Sequence, residues 1–368
     1  MKTLKLRIRD KHIAKLNHLS GAVNFVWNYV NDLSYKHLKK TGKFFSAYDL
    51  NDYTKGSGEL VGLHSQTIQA INETHAKARK QFKKAKLSWR TNNPKSKRKS
   101  LGWLPFKQSA IKHIATHQIG KKGLKSTLQL SLAKGQKLVI DLWDSYNLSL
   151  YQINTLEIVQ DSRNRWYACI TVKDYPKQSC GTGSVGIDLG LKDSATASNG
   201  DKLTIKQTLK YAKQLAIAQR SNNKKRIKAI HAKIKNTRQD LIHKFTTQLV
   251  KDNALIVVGD IQSNQFNSKK GKLAKSVYDA GWFELKRQLT YKCENAGCRF
   301  EIVSERYTTQ ICSCCGEISA NSPKGRANLG IREWTCAKCG TWHDRDINAS
   351  KNILAVGLHR LAEGIPSL

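Results

Sequence analysis

Two knuckles of matching form, Cys312-x-x-Cys315-Gly and Cys336-x-x-Cys339-Gly, stand twenty residues apart in this chain. Two such turns place four thiolates tetrahedrally around one zinc ion at about 2.3 Å, and the glycine after each pair suits the tight turn. Single Cys-x-x-Cys pairs arise by coincidence; a doubled, spaced set is not of that kind. It leaves no open coordination position, so the ion it would hold is structural. Cys314 stands beside the set without a matching partner, and His343 is an alternative ligand. Of the nine cysteines, Cys169, Cys180, Cys293 and Cys298 are scattered and read as buried or indifferent thiols. The opening MKTLKLRIRDKHIAK lacks the apolar core of a signal peptide, which points to the cytosol and to metal rather than disulfides.

The charge is lopsided. Lys and Arg number 64 against 27 Asp and Glu, a formal net charge of +37. Such an excess calls for a polyanionic partner, and the sign points to nucleic acid. Membrane-surface binding is the alternative, but no long apolar segment or amphipathic anchor supports it. The run Arg79–Lys99 is dense in cations; it reads either as a solvated helix and loop or as a nucleic-acid contact.

Along the chain, MKTLKLRIRD alternates like a strand, and a helix-rich stretch follows from about Gly21 to Lys86. Residues 101–175 carry short β-rich runs at close spacing, which suggest a small barrel or sandwich that the opening strand joins. QSCGTGS, residues 178–184, reads as a linker. Then come SVGIDLGLKDSATASNGDKLTI as strand, turn and strand, a long basic helical region over 205–251, and the short apolar strand ALIVVGDIQS at 254–263. GWFELKRQLTYKCENAG is expected to be a helix and RFEIVSERYTT a strand, with a last helix beginning near Asp346. This order fits an RNase H-like sheet interrupted by a metal module.

Three places offer acids for chemistry. Asp188 sits in GIDLG, where a carboxylate among small and apolar residues needs a metal, a cation or water, unless it only ends the strand at a turn. Asp344 and Asp346 open the final helix, where one serves as N-cap. Asp260 follows Gly259 at the end of its strand and is either catalytic or part of a turn. An acid on the first strand and one on the last helix can converge at the carboxyl edge of one sheet. Clusters of that kind hold two Mg²⁺ ions for phosphodiester cleavage, and a third acid completes them.

GIDLGLKDSATAS, IHAKIKNTRQDLIHK, DAGWFELKRQLTYK, RYTTQICSCCG, REWTCAKCG and HDRDINASKNIL, in that order, resemble the OrfB/TnpB family of transposon-encoded proteins, related to type V CRISPR effectors. The resemblance covers the C-terminal half; the N-terminal half is compatible with it through weaker motifs. It implies a multidomain α/β chain. A wedge β-barrel would occupy 1–20 and 101–177, a helical recognition domain 21–100 and a linker 178–184. An RNase H-like (RuvC) nuclease domain would occupy 185–311 and 341–368, with a zinc ribbon at 312–340 inserted. It implies an RNA-guided DNA endonuclease that takes its guide RNA from the transposon end and reads a short motif beside a double-stranded DNA target. Carried over by position, Asp188 and Asp346 would bind two Mg²⁺ ions, and Cys312, Cys315, Cys336 and Cys339 one structural Zn²⁺. Tyr48 and Gln69 fall where the recognition helices approach the adjacent motif, and Arg79, Lys83 and Lys84 join them as nucleic-acid contacts.

The chain departs from this pattern at Gly259, where relatives carry a glutamate. Asp260 is one residue out of phase and points to the opposite face of the strand. The next strand, FEIVSERYTT, would run parallel at about 4.8 Å and bring Glu305 beside the missing side chain. The expected set is therefore Asp188, Glu305 and Asp346, with Glu284 a weaker stand-in and a surface pairing of Glu305 with Arg306 the bland alternative. Two further readings stay open: a nuclease-inactive RNA-guided repressor, and a transposase that joins DNA strands itself. A monomeric protein acting at the prokaryotic nucleoid, with no membrane partner, is expected.

Overall fold

The computed structural model describes residues 2–93, 95–96, 98–120, 123–173, 178–261, 272–324 and 327–363. Domain limits expected at 1, 177 and 368 lie outside these residues, as do Pro94 and Lys97 of the basic run and Gln262 and Ser263 of the ALIVVGDIQS stretch. The chain divides into two compact units, Met1–Pro176 and Lys177–Leu368. Among the described residues, no helix is long and apolar enough to cross a membrane.

The first unit opens with β1 (Lys2–Ile8) and then four helices: α1 (Ile13–Thr41), α2 (Ala47–Thr54), α3 (Gly58–Val61) and α4 (Ser65–Phe82). Six strands follow: β2 (Trp103–Lys107), β3 (Ile111–Ile119), β4 (Gly123–Ser131), β5 (Lys137–Asp144), β6 (Ile153–Gln160) and β7 (Trp166–Val172). They form one antiparallel sheet in the order β2-β6-β7-β1-β5-β4-β3, so the opening strand joins the later ones. Alternate residues of β1, β2 and β4–β7 fill a single core with Leu16, Val23 and Ile71 from the helices. β3, at one end of the order, comes close to β6 near the other end, so the sheet is rolled towards a barrel.

α1 starts at Ile13, not Gly21, because Leu16, Leu19, Val23 and Val26 already follow the helical repeat and are buried. The helix expected to run to Lys86 ends at Phe82, where Lys83 turns left-handed at φ 49°. The basic run beyond it lies extended along α1. Asn31 exchanges two hydrogen bonds with the Leu87 main chain (2.8 and 3.0 Å), and Asn28 does the same with Arg90 (both 2.8 Å). Asparagines at helical spacing thus take the place of a neighbouring strand.

The second unit carries β8 (Gly183–Asp188), β9 (Ala195–Ala197) and β10 (Lys202–Leu203). The basic stretch follows as α5 (Gln207–Lys210), α6 (Ala212–Arg220) and α7 (Lys224–Asp252). Then come β11 (Asn253–Gly259), α8 (Lys272–Ala280), α9 (Trp282–Ala296) and β12 (Arg299–Val303), the short hairpin β13 (Glu333–Thr335) and β14 (Trp342–Asp344), and α10 (Arg345–Ala362). The five-stranded sheet has the order β10-β9-β8-β11-β12, with β8, β11 and β12 parallel and β9 and β10 antiparallel. Gly183 and Ser184, read as linker from the sequence, belong to β8 because they pair with β11. The β13–β14 hairpin carries the cysteine module on to Asp344, past its expected limit at residue 340.

β11 is apolar from Ala254 to Gly259 because both its faces are covered. Ile256 and Val258 pack with Leu249, Leu285 and Leu289, whereas Leu255 and Val257 pack with Val303 and Ile353 of α10. α10 presses so closely on the sheet that a Cβ on Gly186 would overlap the Ser350 carbonyl, and one on Gly357 the Val257 side chain. Gly186→Ala is therefore expected to lower stability by about 1–3 kcal/mol, as overpacking does, measured as a shift in the urea unfolding midpoint.

Candidate active site and cysteine module

Asp188 is the last residue of β8. Its neighbour Ile187 enters the core under α7 and α9, so Asp188 faces the α10 side. The turn after it is pinned by the buried Trp282, whose indole N–H donates to the carbonyls of Gly190 (3.3 Å) and Ser194 (3.1 Å). Burial pushes the Asp188 carboxyl well above the usual aspartate range; the like charges of Asp346 and Glu305 add to it, and Arg345 and Arg332 oppose it. A carboxyl so placed is a natural ligand for a cation.

Asp344 is the N-cap of α10. Its side chain accepts the amides of Asp346 (2.9 Å) and Ile347 (3.0 Å) and pairs with Lys202 at 3.1 Å. With the cap supplied by Asp344, Asp346 is left available in the first helical turn, paired with Arg332 at 3.3 Å. Arg332 opens the REWTCAKCG motif, which gave it no role at the site. It reaches the site because the main chains of Arg332 and Arg345 are joined at the hairpin base by a 2.7 Å hydrogen bond.

β11 and β12 run parallel with Gly259 opposite Val303. Glu305, two residues beyond, turns its carboxylate over Gly259. One carboxylate oxygen lies 2.9 Å from where a Cβ on Gly259 would stand, and Ile353 of α10 is 3.2 Å away. Burial raises the Glu305 carboxyl; Lys286 opposes this and Asp260 adds to it. Among the described residues Glu305 makes no ion pair with Arg306. Asp260 points the other way and pairs with Lys286 of α9 at 3.1 Å. Glu284 is bound to Arg287 (2.8 Å) and Gln288 (2.9 Å), and Gln288 in turn accepts from Thr246 of α7. Glu284 thus belongs to the α7–α9 seam. Asp188 thus lies close enough to Asp346 and Glu305 to feel their charges, and to Arg332, a residue to which the sequence gave no role.

The four cysteine sulfurs all lie within 4.8 Å of one another, and they are the only such group of metal-ligating atoms among the described residues. Cys312–Cys339 at 3.6 Å and Cys315–Cys336 at 3.8 Å match the edge of about 3.8 Å expected for a tetrahedron with 2.3 Å bonds. This set can hold one metal ion. Each knuckle closes alike: Gly316 donates to the Cys312 carbonyl and Gly340 to Cys336, both at 2.9 Å, with the glycines at φ 76° and 70°. His343 lies 3.0 Å from the Cys312 sulfur, supporting the set from outside, and Cys314 is exposed. Cys180, Cys293 and Cys298 pack in the core of this unit, and Cys169 is half-buried in the first unit. All nine are free thiols.

In the first unit, Tyr48 of α2 is 82% exposed, and Gln69 of α4 lines a groove with Asn51, Lys55, Lys134 and Lys137. Lys83 and Lys84 are exposed. Arg79 leaves the expected nucleic-acid set. It is buried, its guanidinium donates to Ser34 (2.6 Å) and the Phe45 carbonyl (2.7 Å), and it stacks on Phe44.

Comparison with known families gives two matches. Residues 167–268 match the OrfB_IS605 family, described as a probable transposase, and residues 282–353 match the Cas12f1-like TNB domain. The chain has the sequence marks of the OrfB/TnpB family. A Streptomyces pristinaespiralis protein named "Putative RNA-guided DNA endonuclease" is 34% identical over 251 residues, 64% of this chain and 61% of that protein. The Escherichia coli K12 protein "Putative RNA-guided DNA endonuclease InsQ" is 32% identical over 239 residues, 56% of this chain and 57% of that one. The chain thus spans about three fifths of the curated relatives it matches. A solved Cas12f1–sgRNA–target DNA complex superposes with a TM-score of 0.58 at 14% identity, covering 94% of this chain and 83% of that one, a likeness of fold.

Proposed function

We propose that this chain is an RNA-guided, Mg²⁺-dependent DNA endonuclease of a transposon, cutting double-stranded DNA beside a short motif. The observation that supports the reading best is the Glu305 carboxylate lying over Gly259 at the end of β11, with Asp188 close enough to Asp346 and Glu305 to feel their charges. RNA guiding rests on the activity named for the two relatives. It also fits a net charge of +37, since guide and heteroduplex are polyanions read through their backbone.

Asp188, Glu305 and Asp346 would hold two Mg²⁺ ions, which supply an activated water and stabilise the leaving oxygen. Asp188 is held rigidly by the turn that Trp282 pins. Arg332 keeps Asp346 turned towards the site, and its guanidinium is suited to a phosphate once metal claims the carboxylate. The four cysteines would hold a structural Zn²⁺ with no open position. Tyr48, Gln69, Lys83 and Lys84 would face nucleic acid, with Gln69 in the groove suited to the adjacent motif.

The test is direct. The protein is expressed with the flanking end of its element, the copurifying RNA is sequenced, and a plasmid bearing a guide-matched target is incubated with Mg²⁺. A discrete RNA and metal-dependent cutting are expected. Absence of such an RNA would overturn the guided reading, and tight binding without cutting would favour a repressor, the reading that Gly259 alone would suggest. Asp260→Asn is expected to change the cutting rate by less than about threefold, because Asp260 is half-exposed and already committed to its ion pair with Lys286.

A further inference from the structure

Glu305 does not end a regular strand. It begins a turn whose third residue, Tyr307, holds a left-handed φ of 63°, a conformation that a non-glycine residue keeps only where its surroundings impose it. Within the turn, the Thr308 hydroxyl donates to the Glu305 carbonyl at 2.9 Å, and the amides of Gln310 and Ile311 donate to the Tyr307 carbonyl at 2.8 and 2.9 Å. Two buried asparagines of α10, one turn apart, hold this backbone from outside. The Asn352 amide donates to the carbonyls of Thr308 and Ile311, both at 2.7 Å. The Asn348 amide donates to the same two carbonyls at 3.3 and 2.8 Å, and its oxygen accepts from the Ser313 amide at 2.8 Å, inside the first cysteine knuckle.

We propose that Asn348 and Asn352 are positioning residues that set the Glu305 carboxylate over Gly259. The helix that carries Asp346 thereby also fixes the turn that carries Glu305, and the same clamp reaches the cysteine knuckle. A glutamate supplied from a strand neighbouring the usual one sits beyond the sheet's own hydrogen bonds, so its position depends on this clamp. The proposal rests on the carboxylate reading above, for which Glu305 is a metal ligand.

The experiment measures Mn²⁺ affinity of the full zinc-loaded chain by electron paramagnetic resonance, in a double-mutant cycle of Asn352→Ala and Glu305→Gln. Asn352→Ala is expected to weaken Mn²⁺ binding by about tenfold or more, the usual cost of losing a residue that orients a ligand, with zinc content unchanged. In the Glu305→Gln background the same change should have no further effect. Equal weakening in both backgrounds, or no weakening at all, overturns the clamp. Should Asn352→Ala lose zinc or fail to fold, Asn348→Ala, which keeps both Asn352 bonds, takes its place in the cycle under the same criteria. If Glu305→Gln alone leaves Mn²⁺ affinity unchanged, the carboxylate reading itself fails; if it weakens binding while neither asparagine variant does, only the clamp fails.

Discussion

Asp188→Asn is expected to abolish Mg²⁺-dependent cleavage, a loss of more than about a thousandfold or roughly 4 kcal/mol of transition-state stabilisation. The same change should stabilise the Mg²⁺-free protein at neutral pH. Burial, Asp346 and Glu305 raise the Asp188 carboxyl in the folded chain. Between the ordinary aspartate range and that raised value, the folded state binds more protons than the unfolded one. Stability therefore falls as pH rises through this window, and asparagine removes the fall. Added Mg²⁺ should reverse the ranking, since it binds the ionised wild-type site and not the variant. Thermal unfolding at several pH values, without chelator so that zinc is retained, checks both signs. An Asp188→Asn protein that is no more stable than wild type without Mg²⁺ would show that the carboxyl bears no such burden.

Glu305→Gln is expected to lower cleavage by more than about a hundredfold while leaving guide-dependent DNA binding intact. Glutamine keeps the volume over Gly259 and removes the negative charge a metal needs. Because burial raises the Glu305 carboxyl as it does that of Asp188, wild-type cleavage should begin to fall at a higher pH than ordinary carboxylates would give as the solution is acidified. Cleavage and filter-binding assays on the same preparations separate the two effects.

What could be read from the sequence was what local patterns encode. The apolar run of β11 announced a short strand, and the doubled knuckles announced a four-thiol cluster. The alternation of side chains along a strand argued against Asp260 and brought Glu305 forward; in the structure Asp260 pairs with Lys286 of α9, and the Glu305 carboxylate lies over Gly259. What stayed hidden depended on contacts distant in the chain. Arg79 looked like one more cation of a basic run, yet it is committed to Ser34 and Phe45. Arg332 joins Asp346 only because the hairpin base brings their segments together. The end of α4 at Phe82 follows from asparagines on α1 that bind the next segment, a preference no helical periodicity expresses. Gly21 looked like a boundary, but in the middle of α1 its cost is small beside the packing of that helix.

The central claim is that one glutamate has been exchanged for another across neighbouring strands. It is tested most directly by moving the carboxylate back, comparing Mg²⁺-dependent cleavage by Gly259→Glu, Glu305→Ala and the double variant. A side chain at residue 259 would meet the Glu305 carboxylate, so Gly259→Glu alone should impair cleavage, and Glu305→Ala should nearly abolish it. In the double variant the new glutamate enters the vacated space, and cleavage should recover by about tenfold or more over Glu305→Ala. Near wild-type cleavage by Glu305→Ala would contradict the account.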